Sequence, residues 1–161
     1  IVVNLQGDEP LVPIALPARL AAALAADDRA GIATCATPIR DVRDVLAPQV
    51  VKVVLDRRGH ALYFSRAPIP FARDAFASGA PDVLPEGVPY LRHLGLYAYR
   101  AGTLRELAAA PQVASERAES LEQLRALELG IGISVTILDE APPPGVDTAE
   151  DLERVREVLG R

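Results

Sequence analysis

Three groups of residues in this chain have the types and spacing to do chemistry. The first is Gln6-Gly7-Asp8-Glu9-Pro10, directly after the strand-like run Ile1-Val2-Val3-Asn4-Leu5. In open α/β sheets ligands collect beyond the carboxyl ends of strands, so these polar groups are well sited to meet one. Gly7 permits a sharp turn and close backbone approach. Asp8 offers a hard carboxylate of the kind Mg²⁺ takes alongside phosphate oxygens. The second group is Gly145-Val146-Asp147-Thr148. Thr148 has the character of a helix N-cap, which sets Asp147 just before a helix N-terminus, where it could be a second ligand of the same ion. Both acids also have an ordinary reading, as a turn-forming and a dipole-complementing residue. Proximity between them decides.

The third group is basic and aromatic. Arg66 ends Tyr63-Phe64-Ser65-Arg66, Arg73 follows it, and Arg92 and His93 open the run Leu91 to Arg100. With strand alternation His93, Gly95, Tyr97 and Tyr99 share one face. An imidazole, a gap at glycine and two phenols suit a polyhydroxy ligand, and nearby arginines can take a carboxylate bidentately. The competing reading is a structural histidine among solvated arginines. Glu122 and Gln123 fall on the two margins of the arc set by Leu121, Leu124 and Leu127, as polar margins of a half-buried helix do. Cys35 has no basic neighbour and reads as a buried structural thiol. His60, beside Gly59, reads as exposed.

The elements that must position these groups follow from periodicity and punctuation. Ile1 to Gln6 reads as a buried strand stopped by Gly7, and Ile14 to Ala26 as a helix with Leu16, Leu20 and Leu24 on one side. Gly31 to Thr37 is a second strand, followed by a short helix over Asp41 to Leu46. Val50–Leu55 and Ala61–Ser65, joined by Asp56-Arg57-Arg58-Gly59, form a hairpin. Ala67 to Pro89 holds five prolines and two glycines and reads as a long irregular excursion of the kind that is usually functional or mobile. A strand over Leu91 to Arg100 and a short helix over Thr103 to Ala110 come next. A long helix is expected from Ser115 to Gly130, closed by its glycine, and a strand over Ile133 to Leu138. Thr148 opens a last helix, with Asp151 in the capping-box position. The alternation predicts an α/β fold, a mixed sheet with one antiparallel hairpin, over a single domain spanning residues 1–161.

Composition narrows the class. The chain is half apolar with a net charge of −5 and one cysteine. No concentrated basic stripe suggests a nucleic-acid partner, no apolar run approaches a membrane span, and a disulfide framework or cysteine zinc cluster is excluded. A cytoplasmic location is the expectation. A strand at residue 1 and the lack of any methionine suggest a piece of a longer protein.

Six stretches together resemble the CMP-Kdo synthetase (3-deoxy-manno-octulosonate cytidylyltransferase) family. They are NLQGDEPLVP (4–13), VVKVVLD (50–56), ALYFSRAPIP (61–70), LRHLGLYAYR (91–100), ERAESLEQLR (116–125) and GVDTAEDLERV (145–155). QGDEP alone points to sugar nucleotidyltransferases broadly; YFSR, RHLG-Y and LEQLR narrow it. The resemblance implies a Rossmann-like nucleotidyltransferase fold, a mixed sheet flanked by helices, incomplete at the N-terminus. It also implies a homodimer. The implied reaction is CTP plus Kdo giving CMP-Kdo and pyrophosphate with Mg²⁺, activating Kdo for lipopolysaccharide synthesis. Carried over by position, Asp8 and Asp147 would be the metal ligands and Gln6 would lie near the cytidine nucleotide. Arg66, Arg73, His93, Tyr97, Glu122 and Gln123 would line the Kdo site. Nothing here matches the family's phosphate-cradling loop, so the mononucleotide-binding half is expected outside this stretch and the fragment alone is expected to be inactive. Alternatives are activation of 8-amino-Kdo or another sugar acid, or a non-catalytic sugar-acid-binding fragment.

Overall fold

A computed structural model describes residues 1–5, 7, 10–143, 146 and 148–160 of the chain. Its centre is a mixed sheet built outward from β2 (Ala30–Pro38), whose near-continuous small apolar sequence is buried on both faces as two-sided burial requires. β5 (Leu91–Tyr99) pairs with it antiparallel on one side and β6 (Gly132–Ile137) parallel on the other. The start of β5 carries β3 (Lys52–Leu55), which pairs with β4 (Ala61–Ser65) as the expected hairpin. The hairpin turn is pinned by Asp56, whose Oδ1 accepts from the amides of Arg58 at 2.8 Å and His60 at 2.9 Å. Gly59 supplies the positive φ of 83° that the turn requires. The end of β5 pairs instead with β1 (Val2–Asn4), through Val2–Tyr99, Val3–Ala98 and Asn4–Tyr97.

Helices cover both faces. On one, α1 (Ala15–Ala26) buries Leu16, Leu20 and Leu24 against Ala33, Cys35, Leu96 and Ala98. Pro17 lies in its first turn, where the missing N–H costs nothing. α2 (Val42–Leu46) is capped by Asp41, which accepts from the Arg43 amide. On the other face lie α3 (Ala101–Ala109), α4 (Ala114–Glu119) and α5 (Gln123–Glu128). Leu121 and Leu124 there pack on Val53, Phe64, Tyr97, Tyr99 and Ile133. α6 (Ala149–Val158) opens with the expected capping box: the Asp151 amide donates to Thr148 Oγ1, and the Thr148 amide donates to the Asp151 carboxylate. The excursion over 67–89 has no helix or strand. It is held down by Phe76, Leu84 and Val88 packing on Ile39, Val45, Val50 and Tyr90.

Three expectations need correction. The single helix over 115–130 is two helices, because Ser120 adopts the left-handed conformation (φ 52°, ψ 49°) and turns the chain between them. Gly130 does end the second, at φ 76°. The first strand is not buried: Val2 is 43% exposed, since β1 pairs only with β5 among the described residues. His60 is not exposed either. Its Nε2 meets the Asp27 carboxylate and its side chain is 16% accessible, tying the hairpin turn to the α1–β2 connection.

Candidate functional site

The break at Ser120 shapes a cavity of about 750 Å³ between the first half of β5 and the α4–α5 turn. Arg92, His93, Gly95 and Tyr97 form its sheet wall, and Ser120, Leu121, Glu122 and Gln123 its helical wall. Strand alternation delivers His93, Gly95 and Tyr97 to one side as expected, and the rings of His93 and Tyr97 lie 5.4 Å apart. Glu122 and Gln123 reach the cavity because α5 restarts there. Gln123 is buried in the wall and Glu122 is exposed.

The turn itself is built from a distance. Ser65 Oγ, at the end of β4, donates to Glu119 Oε1 at 2.6 Å, and the Arg66 amide donates to Glu119 Oε2 at 2.8 Å. The Arg66 guanidinium donates to the carbonyls of Glu119 at 2.6 Å, Pro48 at 3.0 Å and Ser120 at 3.4 Å. Behind Arg66, the fully buried Lys52 ammonium donates to the carbonyls of Ala47, Val50 and Arg66 at 2.9, 2.6 and 2.6 Å. Arg66 therefore grips the turn with its guanidinium. Arg73 lies apart from the cavity, exposed and paired with Asp74 at 2.9 Å.

A second ion pair, absent from the sequence-based expectations, holds the helical wall. Arg125 donates from Nε to Glu116 Oε2 at 2.9 Å and from Nη2 to Glu116 Oε1, and from Nη1 to the carbonyls of Leu107 and Ala110. Glu116 also accepts from the Val113 amide. The hydrogen bonds from Arg125 hold the Glu116 carboxyl below its usual value, so it is ionised and committed. Only its (i, i+9) spacing across a supposed single helix hinted at this, and that spacing does not suggest contact on a straight helix.

The cavity's charge state follows. Burial drives the His93 imidazole down to about 3, so the ring is neutral. Burial likewise raises the Tyr97 and Tyr99 phenols, with Glu122 adding to both. Arg92 and Arg117 are the cationic wall residues with no carboxylate partner among the described residues. The neutral imidazole and the phenol beside the Arg92 and Arg117 guanidinium groups, with Glu122 at the margin, match a ligand with several hydroxyls and one acid group.

A second, more apolar cavity of about 420 Å³ adjoins the first, sharing Tyr97, Glu122, Gln123 and Arg125 with it. Its other wall includes Val2, Val3 and Asn4 of β1 and Leu104 and Leu107 of α3. Gln6, Asp8 and Asp147 lie outside the described residues. Among the described residues no cluster of three or more His, Cys, Asp or Glu side chains is arranged to hold a metal. Cys35 is fully buried, its thiol pushed up to about 11 by burial, in keeping with a structural role. No helix among the described residues is long and apolar enough to cross a membrane.

Comparison with known proteins places this architecture. The chain is 58% identical to the 3-deoxy-manno-octulosonate cytidylyltransferase of Pseudomonas fluorescens (strain SBW25) over 160 residues, 99% of this chain and 63% of that protein. It is 55% identical to the corresponding protein of Pseudomonas syringae pv. syringae (strain B728a), covering 99% of this chain and 62% of that one. The chain thus spans a little over three fifths of the length of these relatives. A solved structure of CMP:2-keto-3-deoxy-manno-octonic acid synthetase complexed with CTP superposes with a TM-score of 0.84 at 39% identity, over 98% of this chain and 61% of that one. The fold is therefore that of the Rossmann-like nucleotidyltransferases. Residues 1–135 match the family described as Cytidylyltransferase, and the chain belongs to the cytidylyltransferase family.

Proposed function

We propose that this chain is the sugar-acid-binding portion of a 3-deoxy-manno-octulosonate cytidylyltransferase, forming one domain over residues 1–161. The full-length protein joins CTP to Kdo, giving CMP-Kdo and pyrophosphate, for lipopolysaccharide synthesis. The observation that carries the reading is the cavity between β5 and the α4–α5 turn. It gathers His93, Tyr97, Glu122 and Gln123 with Arg92 and Arg117, a polar set matched to a polyhydroxylated acid. Arg66 serves this site by holding the turn.

In the reaction the anomeric hydroxyl of Kdo attacks the α-phosphorus of CTP; the new O–P bond forms as the bond to pyrophosphate breaks. The protein's task is to hold the two reactants in line. The β5 face and the turn hold the sugar acid. Gln6, following β1, contacts the cytidine nucleotide. Asp8 and Asp147 are hard carboxylates of the chemistry Mg²⁺ requires, and would hold it where it neutralises phosphate charge. By the same resemblance the full-length protein works as a cytoplasmic homodimer.

The test is CMP-Kdo formation by the full-length protein, with Asp8→Ala and Asp147→Ala alongside. CTP- and Mg²⁺-dependent turnover lost in both variants supports the reading. A folded protein inert toward Kdo but active on 8-amino-Kdo shifts the substrate. Inertness toward every sugar acid and CTP leaves a binding fragment only.

A further inference from the structure

We propose that Thr34 fixes His93 as its Nε2–H tautomer, leaving Nδ1 as a hydrogen-bond acceptor that reads a hydroxyl of the sugar acid. The inference rests on the sugar-acid reading of the cavity and assigns Thr34 as a positioning residue within it.

Thr34 lies fully buried in the middle of β2, at the one place where the β2–β5 ladder loses register. Ala33 faces Ala98, but Cys35 faces Leu94, so two steps along β2 match four along β5. Such a bulge frees carbonyls from the ladder and re-aims side chains. The even excess preserves alternation, which is why His93 and Tyr97 stay on one face. The Thr34 hydroxyl fills the break: its Oγ1 lies 2.8 Å from the Leu96 carbonyl, 3.1 Å from the Leu94 carbonyl and 3.0 Å from His93 Nε2.

Counting protons then settles the tautomer. A hydroxyl has one proton to give and two lone pairs to accept with, and a carbonyl can only accept. If Thr34 gave its proton to His93, two carbonyl oxygens would press on its lone pairs in a dry interior, with no donor for either. Given instead to the Leu96 carbonyl, the proton leaves a lone pair free to accept from Nε2–H. Neutral imidazole carries one N–H, so Nδ1 is bare. The doubly protonated ring, which would erase the distinction, is suppressed by burial. Phe64 packs edge-on at 4.8 Å and Tyr97 at 5.4 Å, holding the ring in place. Nδ1 has no partner among the described residues, and the ring lines the cavity. A bare ring nitrogen repels a carboxylate and accepts from a hydroxyl. His93 therefore selects a hydroxyl at its position, and the acid group must go to the arginines.

The test uses the full-length protein labelled with ¹⁵N-histidine. Long-range ¹H–¹⁵N correlation, with His93→Gln for assignment, reports which ring nitrogen carries the proton. The expected spectrum shows Nε2–H and bare Nδ1 throughout the neutral range; Nδ1–H, or an even mixture, overturns the inference. In Thr34→Val the lock is lost, and the KM for the sugar acid rises about tenfold, the worth of one buried hydrogen bond. The KM for CTP stays within about twofold, and Thr34→Ser restores the sugar-acid KM. An unchanged sugar-acid KM in Thr34→Val overturns the inference too. If Thr34→Val fails to fold, the wild-type spectrum still decides the tautomer. A wild-type protein that turns over no sugar acid refutes the cytidylyltransferase reading, whereas the spectrum judges the Thr34–His93 arrangement independently.

Discussion

Acidifying the protein from pH 7 to pH 5 should cost it stability through the buried His93 ring. The folded ring sits at about 3, against 6.5 for the free imidazole, because burial disfavours the cation. Between those values the unfolded chain binds a proton that the folded chain refuses. The folded pKa is depressed, so the contribution is complete above about pH 6.5 and drains away as pH falls toward 3. From pH 7 to pH 5 the unfolded ring goes from mostly neutral to almost wholly charged, which amounts to about 2 kcal/mol. The carboxylates held below their usual values, Asp27, Asp41 and Glu116, act at lower pH and leave this window clear. Urea unfolding of the full-length protein and of His93→Gln, at both pH values and one protein concentration, measures the effect. His60 is present in both proteins and cancels. The wild-type protein should lose about 2 kcal/mol more than the variant. Equal losses in the two would show that the ring is hydrated or already charged in the folded state, and the neutral face described above would be wrong.

Other expectations follow from the parts around the site. Lys52→Met should leave three carbonyls, that of Val50 buried and those of Ala47 and Arg66 partly so, without their ammonium donor and cost about 3 kcal/mol, a fall of roughly 6–12 °C in Tm, measurable by calorimetry. Ser120→Gly should be neutral or stabilising by up to about 1 kcal/mol, because it relieves the left-handed backbone; Ser120→Val should destabilise by more than that, and the opposite order in thermal melts would refute the turn geometry. Cys35 should resist alkylation in the native protein at pH 8 and react on adding denaturant, since its thiol is both buried and raised to about 11.

Much of the fold was legible because its signals are local. The apolar continuity of β2, the Asp56–Gly59 turn, the leucine spacing of α1 and the Thr148–Asp151 cap each lie within a few residues. The face shared by His93 and Tyr97 was also legible, although only because the β-bulge opposite Thr34 skips an even number of residues. The helix break was not. Ser115 to Gly130 carries a good helical pattern, and the left-handed Ser120 is held by Ser65 at the end of β4 and Arg66 just after it, through Glu119. A tertiary clamp of this kind leaves no mark in periodicity. The same holds for His60, whose partner Asp27 is 33 residues away. The exposed β1 reflects a different blindness: apolar sequence signals a strand meant to be covered, not what covers it among the described residues. Arg66 and Arg73 were legible as cations near a strand end, but not where their guanidinium groups would go.

The central claim is that the α4–α5 turn and β5 together bind the sugar acid. Steady-state kinetics of Gln123→Ala in the full-length protein tests it most directly, since Gln123 is buried in the cavity wall and its side chain makes no hydrogen bond among the described residues. The account predicts a KM for Kdo raised about tenfold or more with the KM for CTP within about twofold of wild type. A raised KM for CTP with that for Kdo unchanged would place the nucleotide in this cavity and contradict the account.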